Sequence, residues 1–594
     1  MTEAGPRAAE IGRIRLEVIR NALTAIADEA GVALRRAAYS TNIKTRLDYS
    51  CALFDPALRT VAQAFTQPVH LGTLAHFVPR IVAAYGAERL EPGDALLCND
   101  GHLGGIHLND VALVAPAYSG STLIGYVATM AHHVDVGGTT PGSIGLAREI
   151  FQEGVQIPPV RLCRAGELDE ELLALLTRNV RSANETAGDL RAQLAGAKIG
   201  ERRLAELACK HGETYLAAAE DAVLDYTERA TRAMIRQKVP EGRYRAEGFL
   251  DDDGFSDVPV RIAVDIEVDD GSVRYDLRDC DPQRPASINT TYAMSFSACA
   301  YTLRALIGEA DLSMNDGFYR CLVVTTEPGT VAHSVRPAAI GAGADVGARV
   351  LETALRAFAV RLPDRLPADS KGTMCNISFG GIDPRTGLTF TYYEAQAGGY
   401  GGRRGLDGIN AVQPHMQNTE NAPIEETEAR YPVSIVRYEL IRDSDGAGEF
   451  RGGLGLRRDY TFEGTVQFSV MADRAKLAPE GLAGGLDATP SRFLLDPDGE
   501  TRSLGSKFSI EVEPGHVVSV QIGGGGGWGD PALRRGELVA SDVDNGFVSA
   551  SRARELYGFE PEGRSAGEPG AADPSSTTPE ARAARAAGQA LGAR

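Results

Sequence analysis

The chain has 594 residues, 43% of them hydrophobic, and a formal net charge of −19. A chain of this length exceeds one hydrophobic core, so we expect two or three domains. The negative charge disfavours nucleic acid and anionic membranes as partners. No apolar run approaches the length of a membrane span and no signal-peptide core follows the first residues, which predicts a cytoplasmic protein. The eight cysteines lack a Cys-x-x-Cys pair, so we expect reduced thiols, mostly in the core.

Residues 1–165 predict a mixed α/β region. Apolar residues repeat with helical spacing across residues 11–38. Alternating segments then predict strands at 50–55, 60–65, 95–99, 111–117 and 122–132.

Three potential metal ligands lie at one end of the last two predicted strands. A two-residue loop at Ser119 and Gly120 would pair residues whose numbers sum to 239, which places His107 opposite His132. Cross-strand neighbours have Cβ atoms roughly 5 Å apart, so both imidazoles could reach one ion. Asp110 adds a carboxylate, and this donor set suits Mn, Fe or Zn. The competing interpretation of each histidine is a half-buried, hydrogen-bonded residue with no ligand role.

The segment 135–140 (DVGGTT) is similar to the first phosphate loop of actin-like ATPases. Such folds normally open the chain with this strand and repeat a second glycine-containing loop after it. Here the segment follows two histidines, and no second copy is evident. We therefore predict that this segment does not bind ATP.

The rest of the chain predicts three further regions and a tail. Residues 166–240 are rich in Ala, Leu, Glu and Arg, which predicts two or three long helices broken near 210–212. Residues 241–432 predict another α/β region, and residues 433–560 a β-rich region with many glycines. Residues 561–594 have the composition of a disordered tail. The predicted fold class is α+β with several domains.

Two further segments have structural interpretations. The five glycines at 523–527 lack the helix with a lysine that follows a nucleotide loop, so they predict a tight turn or a backbone surface against a partner. The segment 418–428 concentrates carboxylates around Pro423, which favours the first turn of a solvated helix, where acids suit the helix dipole.

With these segments placed, the chain resembles the hydantoinase B / oxoprolinase family from about residue 12 to 555. The matching stretches are 39–55 (YSTNIKTRLDYSCALFD), 67–72 (QPVHLG), 99–110 (NDGHLGGIHLND), 131–138 (AHHVDVGG), 152–154, 157–159, 179–181, 188–193 (GDLRAQ), 418–428, 451–453 and 523–531. Together they are highly specific for that family.

The resemblance implies a division of labour between two polypeptides. A hydantoinase A-type partner with the actin-like ATPase fold would bind ATP and Mg and phosphorylate the substrate. The B-type subunit would carry a divalent transition metal (Zn, Mn or Fe) at His107, Asp110 and His132, which match the family's metal positions. Asp48, in the matching LDYS segment, is implied as a fourth ligand. The expected assembly is a hetero-oligomer such as α2β2.

The implied reaction is ATP-dependent hydrolysis of a cyclic amide, such as a hydantoin or a 5-oxoproline-like ring. Phosphorylation would make the resistant amide carbonyl open to attack by water. His133, next to His132, and Glu149 are candidates for proton transfer because they are near in sequence, although His133 could instead point into the sheet. Two alternatives stay open: a subunit of an acetone- or acetophenone-type ketone carboxylase, and a non-catalytic scaffold for the ATPase. The compact chain favours amide hydrolysis, and the intact ligand set disfavours the scaffold.

Overall fold

The structure is a computed structural model that describes residues 11–64, 67–309 and 311–560. The predicted disordered tail, 561–594, lies outside these residues. Contacts divide the chain into two units, Met1–Arg534 and Arg535–Arg594. The helices in the described part are α1 (Arg13–Ala37), α2 (Thr41–Lys44), α3 (Pro68–Tyr85), α4 (Glu170–Arg178), α5 (Ala183–His211), α6 (Glu213–Lys238), α7 (Tyr292–Ile307), α8 (Asp316–Tyr319), α9 (Ala344–Ala359), α10 (Ile424–Arg430), α11 (Gly536–Asp544) and α12 (Ala550–Tyr557).

Four sheets accompany these helices. The strands are β1 (Tyr49–Phe54), β2 (Thr60–Gln63), β3 (Ala95–Cys98), β4 (Asp110–Ser119), β5 (Thr122–His132), β6 (Val160–Arg164), β7 (Glu167–Leu168), β8 (Gly242–Leu250), β9 (Val260–Asp269), β10 (Ser272–Asp276), β11 (Leu322–Thr325), β12 (Asn376–Ile382), β13 (Thr389–Ala395), β14 (Val433–Leu440), β15 (Leu456–Phe462), β16 (Val466–Met471), β17 (Arg492–Leu495), β18 (Arg502–Leu504), β19 (Lys507–Val512) and β20 (Val518–Ile522). Their orders are β2-β1-β5-β4-β3-β6-β7, β11-β10-β9-β8, β13-β12-β16-β19 and β14-β15-β20-β17-β18.

The first sheet is antiparallel and buried on both faces. Its core on one side includes Leu23 and Leu34 of α1 and Leu204 of α5. On the other side, Phe77 and Ile81 of α3 pack against inner residues of β1, β4 and β5. Burial on both faces explains why the central strands are continuous apolar runs rather than alternating ones. The predicted helix and strands of this region are confirmed within a few residues.

The central helices are also confirmed. Helices α4, α5 and α6 occupy 170–238, and the predicted break falls at Gly212, whose φ of 88° ends α5. Glycine adopts this backbone region without a Cβ clash, so the helix ends here at little cost. After α6, the second sheet packs against α9, whose buried residues include Val350 and Phe358.

The last two sheets pack face to face around an aromatic core. Phe379 of β12 stacks on Phe468 of β16 with ring centroids 5.8 Å apart, and Tyr460 of β15 lies against both. The third sheet draws β12 and β13 from one side of the predicted boundary at residue 432 and β16 and β19 from the other. The mixed α/β character is confirmed, and the individual domain bounds stay a prediction.

The glycine run 523–527 is neither a turn nor a surface, which corrects the sequence interpretation. The run is buried, and its backbone packs against other backbone segments of the same chain. A Cβ on Gly525 would lie 2.2 Å from the carbonyl oxygen of Tyr400. Gly525 N donates to Gly453 O at 2.9 Å, and Gly446 N donates to Gly525 O at 2.8 Å. The run therefore serves internal packing, since only glycine permits this approach.

Three smaller expectations also have outcomes. The acidic segment forms the start of α10 with Glu425 and Glu426 in the first turn, as predicted. All eight cysteines are free and seven are buried. No helix in the described part of the chain is long and apolar enough to cross a membrane. In the second unit, α11 and α12 share a small core of Val539, Val548 and Ala553.

Candidate metal centre

A tight turn ahead of β4 carries the first two candidate ligands. Asp110 N donates to His107 O at 3.1 Å, so the chain turns between these two residues and β4 begins at Asp110. Asn99 holds this turn in place, because its Nδ2 donates to Leu108 O at 2.8 Å. Asn109 ties the turn to the end of β5, because its Nδ2 donates to His133 O at 2.9 Å. Both amides are buried, so the turn is held rigidly.

The predicted hairpin register is wrong, although the ligands still meet. The loop consists of Gly120 and Ser121, because Ser119 pairs with Thr122 and Gly120 takes the positive φ of 61°. A bulge after Ala117 adds a further offset, and the residue opposite His132 is Asp110 rather than His107. His107 reaches the same place from the turn, with its ring centroid 5.0 Å from that of His132.

The structure brings His107, Asp110 and His132 into one buried group. Each offers a ligand atom, and these atoms all lie within 4.8 Å of one another. His107 Nε2 is 3.3 Å from Asp110 Oδ2. The side chains of Asp110 and His132 are almost completely buried, and that of His107 nearly so. Two imidazoles and a carboxylate at this spacing could hold one metal ion.

Unsatisfied polar atoms in this group test whether a metal fits. Within the described residues, Asp110 Oδ1, His132 Nε2 and Asp48 Oδ2 are buried and accept or donate no hydrogen bond. Buried polar atoms are nearly always paired, because leaving one unpaired costs roughly 1–3 kcal/mol. A divalent cation would satisfy nitrogen and oxygen donors together, and this donor set suits Mn, Fe or Zn. The residues present therefore fit a transition metal.

Asp48 lies beside the three ligands and lines the same cavity. Its backbone oxygen accepts a 3.0 Å bond from His132 N, and its Oδ1 accepts a 3.3 Å bond from Gln67 Nε2. Burial raises the pKa of Asp48, and the nearby Asp110 raises it further, against the opposing effect of His70. The position is consistent with the fourth ligand that the resemblance implies.

His70 also lines this cavity, and sequence reasoning assigned it no role. It lies in the first turn of α3, with Nδ1 3.2 Å from Ser50 Oγ and Nε2 3.6 Å from Asp110 Oδ1. Burial alone would lower the pKa of His70, but Asp110 and Asp48 outweigh it and raise that pKa. The sequence signal that could have identified His70 was its position within the matching stretch 67–72, shortly after the proline that begins the helix.

A second layer of side chains fixes the ring of His132. Tyr393 of β13 stacks on it with centroids 4.4 Å apart and planes at 14°. Asn42 Nδ2 lies 3.1 Å from Nδ1 of this ring, and Nε2 has no hydrogen-bond partner among the described residues. Arg46 donates to Asn42 Oδ1 at 2.8 Å and lies over the Tyr393 ring at 5.0 Å. Such outer partners orient metal ligands in general, and no sequence pattern linked residues 42, 46 and 393.

The two proton-transfer candidates do not reach this cavity. His133 follows His132 directly and points to the opposite face, where its Nε2 lies 3.0 Å from Gln193 Oε1. Its ring lines a separate apolar pocket. Glu149 is exposed and caps a short 3-10 helix through a reciprocal bond with Gln152. Both residues are candidates by nearness in sequence alone. Neighbouring strand residues alternate sides, and the chain leaves the cavity after β5, so nearness in sequence does not bring either residue to it.

The loop that is similar to a phosphate loop has a structural role. Asp135 Oδ1 accepts hydrogen bonds from Gly137 N and Arg181 N, each at 3.0 Å. Asp135 Oδ2 accepts bonds from Gly142 N at 3.1 Å and the Arg181 guanidinium at 2.9 Å. Together these bonds close the loop on itself and tie it to the segment before α5. The carboxylate is thus fully used inside the protein.

The ligand group opens into one cavity with about 730 Å³ of empty space, part of it open to solvent. Polar residues cluster at the ligand end, where Asn376 and Tyr393 join the histidines. The remaining wall is largely apolar and includes Met294, Leu351 and Met416. A largely apolar cavity with a few polar groups is typical of a site for a small organic molecule.

Comparison with known sequences identifies relatives along nearly the whole chain. The profile of the Hydantoinase B/oxoprolinase family matches residues 12–531. An uncharacterized protein from Methanocaldococcus jannaschii is 37% identical over 549 residues, which cover 92% of this chain and 95% of the relative. A putative D-/L-hydantoinase B subunit from Pseudomonas sp. (strain NS671) is 32% identical over 570 residues, with 92% and 95% covered. A 5-oxoprolinase from Dictyostelium discoideum is 30% identical, and the match spans 88% of this chain but 40% of that longer protein.

Solved structures with the same fold include two ATP-dependent enzymes. The crystal structure of ATP-dependent caprolactamase from Pseudomonas jessenii matches with a TM-score of 0.86 and 28% identity, covering 97% of this chain and all of that chain. The nucleotide-free structure of acetone carboxylase matches with a TM-score of 0.83 at 20% identity, covering 92% and 80%. The second likeness concerns the fold alone.

Proposed function

Because the chain belongs to the Hydantoinase B/oxoprolinase family, we propose that it is the metal-bearing subunit of an ATP-dependent cyclic amide hydrolase. The observation that carries this proposal is the buried group of His107, Asp110 and His132, whose ligand atoms converge in a cavity and include atoms that lack partners of their own. A purely structural cluster would be expected to satisfy these atoms internally.

The proposal includes an A-type ATPase partner. The B subunit of the putative hydantoinase and the β subunit of caprolactamase are 32% and 31% identical to this chain, and each is covered over 95% of its length. Because both relatives are named as one subunit of an enzyme, we expect this chain to form a hetero-oligomer. ATP and Mg would bind on the partner. In this chain, the loop 135–140 is similar to a phosphate loop, but its Asp135 carboxylate already accepts hydrogen bonds from within the protein.

The chemistry that this cavity must perform follows from the stability of the amide bond. Transfer of the ATP γ-phosphoryl group to the carbonyl oxygen by the partner would release ADP and give an imidate-like electrophile. Water would add to its carbon, and the C–N bond would break as the ring nitrogen takes up a proton. Hydrolysis of the remaining acyl phosphate by a second water would release phosphate and the carboxylic acid. His107, Asp110 and His132 would hold the cation, with Asp48 as a fourth ligand. When bound, the cation supplies Lewis-acid stabilisation of developing negative charge and lowers the pKa of water.

The rest of the cavity would position the ring. The wall of Met294, Leu351 and Met416 would seat the methylene groups of a lactam and exclude bulk water. Asn42 and Tyr393 would keep the ring of His132 in place during turnover. His133 and Glu149 do not line this cavity, so the proposal gives them no contact with substrate.

A ketone carboxylase of the acetone or acetophenone type is the second candidate, because the resemblance in sequence leaves it open and acetone carboxylase has the same fold. Both reactions would use the same metal cavity after phosphorylation by a partner. They differ in the bond that the substrate presents. Coexpressing the chain with an A-type subunit, and screening cyclic amides and ketones for substrate-dependent ATP turnover, distinguishes the two.

The decisive experiment removes Asp110 and follows both half-reactions. In the coexpressed complex, Asp110→Ala should keep substrate-dependent ATP turnover while ring-opened product falls about 10³-fold, since the partner phosphorylates and this chain completes the reaction. Gel filtration first confirms that the complex is intact. An intact complex that still forms product at the wild-type rate would leave only the scaffold role.

A further inference from the structure

Helix α9 forms a common wall of two neighbouring cavities. Its residues at 344, 348, 351 and 352 line the candidate metal cavity, and those at 352, 355, 356 and 359 line a second cavity with about 410 Å³ of empty space. These spacings follow one face of the helix. Two residues, Glu352 and His415, line both cavities. They therefore stand where the two spaces meet.

Glu352 has one carboxylate oxygen without a partner. The residue is 3% exposed. Its Oε2 accepts hydrogen bonds from Arg349 and Arg474, both at 2.8 Å. Its Oε1 is buried and has no hydrogen-bond partner among the described residues. This oxygen has the same unsatisfied character as the ligand atoms at the metal end.

The other residue at the junction has partners for its ring. His415 Nε2 lies 3.3 Å from Ser370 Oγ, and Nδ1 lies 3.4 Å from Tyr400 OH. These contacts hold the imidazole as part of the wall. The free acceptor at the junction is therefore Glu352 Oε1.

A glycine leaves the carboxylate open on the cavity side. Gly372 lines the metal cavity and has a φ of 61°. A Cβ at this position would lie 2.7 Å from Glu352 Oε2 and 3.2 Å from Oε1. Any larger residue would crowd the carboxylate, so the absence of a side chain keeps this end of the cavity accessible.

Along α9, Glu352 lies beyond the residues that are nearest in sequence to Ala342, which belongs to the same cluster as Tyr393. The start of α9 is linked to the ligand group through one apolar cluster, which contains Ala342 and Tyr393, and Tyr393 stacks on His132. Glu352 is eight residues beyond Ala344, or roughly 12 Å along the helix axis. The wall between is apolar and includes Ala348 and Leu351. The cavity thus has a polar group at each end and an apolar middle.

We propose that Glu352 is a specificity-determining residue whose Oε1 accepts a hydrogen bond from a donor group on the substrate. The donor would be an N–H, hydroxyl or ammonium group, separated by an apolar segment from the carbonyl that reacts at the metal end. This inference rests on the proposed function and names its substrate class more closely. A buried carboxylate oxygen gains a charge-assisted hydrogen bond from such a donor, whereas an analogue without the donor leaves the oxygen unpaired.

The test uses two hydantoins that differ in one terminal group. The full-length chain, loaded with Mn(II), is titrated by calorimetry with 5-(3-hydroxypropyl)hydantoin and with 5-butylhydantoin. Because a hydrogen bond to a buried charged group is worth about 1.5–3 kcal/mol, wild-type chain should bind the hydroxyl compound about 10- to 100-fold more tightly. Glu352→Gln, which turns the free acceptor into a donor of equal size, should reduce this ratio to about threefold or less.

Asp369→Asn is the matched control. Asp369 accepts hydrogen bonds from Arg474 at 2.7 Å and from Arg356 at 2.6 Å, so it belongs to the same buried ion-pair cluster without lining the metal cavity. This variant should keep the wild-type ratio. A Glu352→Gln ratio unchanged from wild type would overturn the inference.

The wild-type measurement needs no variant and is decisive by itself. If both hydantoins bind equally well and are both hydrolysed in the complex, the role of Glu352 is refuted while the proposed function stands. If neither compound binds or turns over, the proposed substrate class is refuted and the inference falls with it.

Discussion

The histidine group and the loop that follows it both contain buried aspartate and histidine side chains, but the two regions differ in how completely these side chains are hydrogen-bonded. In the group, Asp110 Oδ1 and His132 Nε2 are buried without hydrogen bonds. In the loop, which follows β5 directly, Asp135 accepts four hydrogen bonds, two of them from Arg181. Even the two successive histidines divide in this way, since His133 is paired with Gln193.

The difference in hydrogen-bond satisfaction distinguishes a structural site from a candidate ligand site more clearly than the sequence motifs do. The loop is similar to a phosphate loop in sequence, yet its carboxylate has no capacity left for a ligand. The His-x-x-Asp pattern is common in sequences, yet here His107 Nδ1 and Asp110 Oδ1 have no hydrogen-bond partner among the described residues. Because unpaired burial costs free energy, unpaired atoms within a cluster of potential ligands favour an ion or water that supplies the missing partner.

The largest expected effect contrasts the two successive histidines. His132→Ala should lower the bound transition metal from about one ion per chain to under about 0.1 and reduce ring opening about 10³-fold or more, because a ligand is lost. The double variant His107→Ala, His132→Ala should do the same. Elemental analysis of the purified chains measures the metal. His133→Ala is the control and should retain the metal, and an equal loss in that variant would contradict the assignment.

The next effect concerns stability at the satisfied loop. Asp135→Ala should lower the free energy of unfolding by roughly 2–4 kcal/mol, because it leaves Arg181 and two glycine N–H groups without their acceptor. Urea unfolding of the wild-type and variant chains measures this. Calorimetry should detect no ATP binding to either chain alone. Micromolar ATP binding to the wild-type chain that Asp135→Ala abolishes would make the loop a nucleotide site after all.

A third prediction concerns Glu153, a buried carboxyl group that has hydrogen-bond partners but also a raised pKa. It accepts hydrogen bonds from Ile340 N and Gly341 N, and burial raises its pKa to about 8 from an ordinary 4.5. The folded chain therefore keeps this proton up to about pH 8, whereas the unfolded chain releases it near 4.5.

The free energy of unfolding should consequently fall as pH rises between these values, by up to about 1.4 kcal/mol per pH unit from this group. Glu153→Gln should flatten that part of the profile, measured by urea unfolding at pH 5, 6, 7 and 8. A slope that Glu153→Gln leaves unchanged would show that other groups carry it.

The smallest expected effect is a gain in stability at the unsatisfied site. Burial and the neighbouring Asp110 raise the pKa of Asp48, so its charged form is unfavourable in the metal-free chain. Asp48→Asn should stabilise the metal-free chain by about 1 kcal/mol while weakening metal binding. Thermal unfolding with and without added Mn(II) measures both changes. Destabilisation of the metal-free chain would mean that Asp48 is satisfied internally, like Asp135.

Much of the secondary structure could be predicted from the sequence. The helices around residues 13–37 and 170–238 and the strands of the first sheet follow from apolar periodicity, because one buried face repeats at the helical or strand period. The hairpin register could not be predicted, because it depends on which loop residue takes the positive φ and on a bulge after Ala117. Pattern alone fixes neither feature.

The candidate metal group was accessible to sequence reasoning because His107, Asp110 and His132 are near one another in the chain. The residues that complete the site were not, since Tyr393 arrives from β13 and Glu352 from α9, both more than 200 residues later. His133 is the reverse case. It is adjacent to a candidate ligand in sequence, but the alternation of a strand sends it to the other face.

The sequence by itself determined the family, the helical and strand segments and the chemical type of the candidate ligands, because these depend on residue identity and local spacing. Only the tertiary structure decided which polar atoms stay unpaired after folding. That outcome depends on partners brought from distant segments, such as Arg181 for Asp135 and Asn42 for His132. Hydrogen-bond satisfaction is a property of the packed interior, and local sequence carries no record of it.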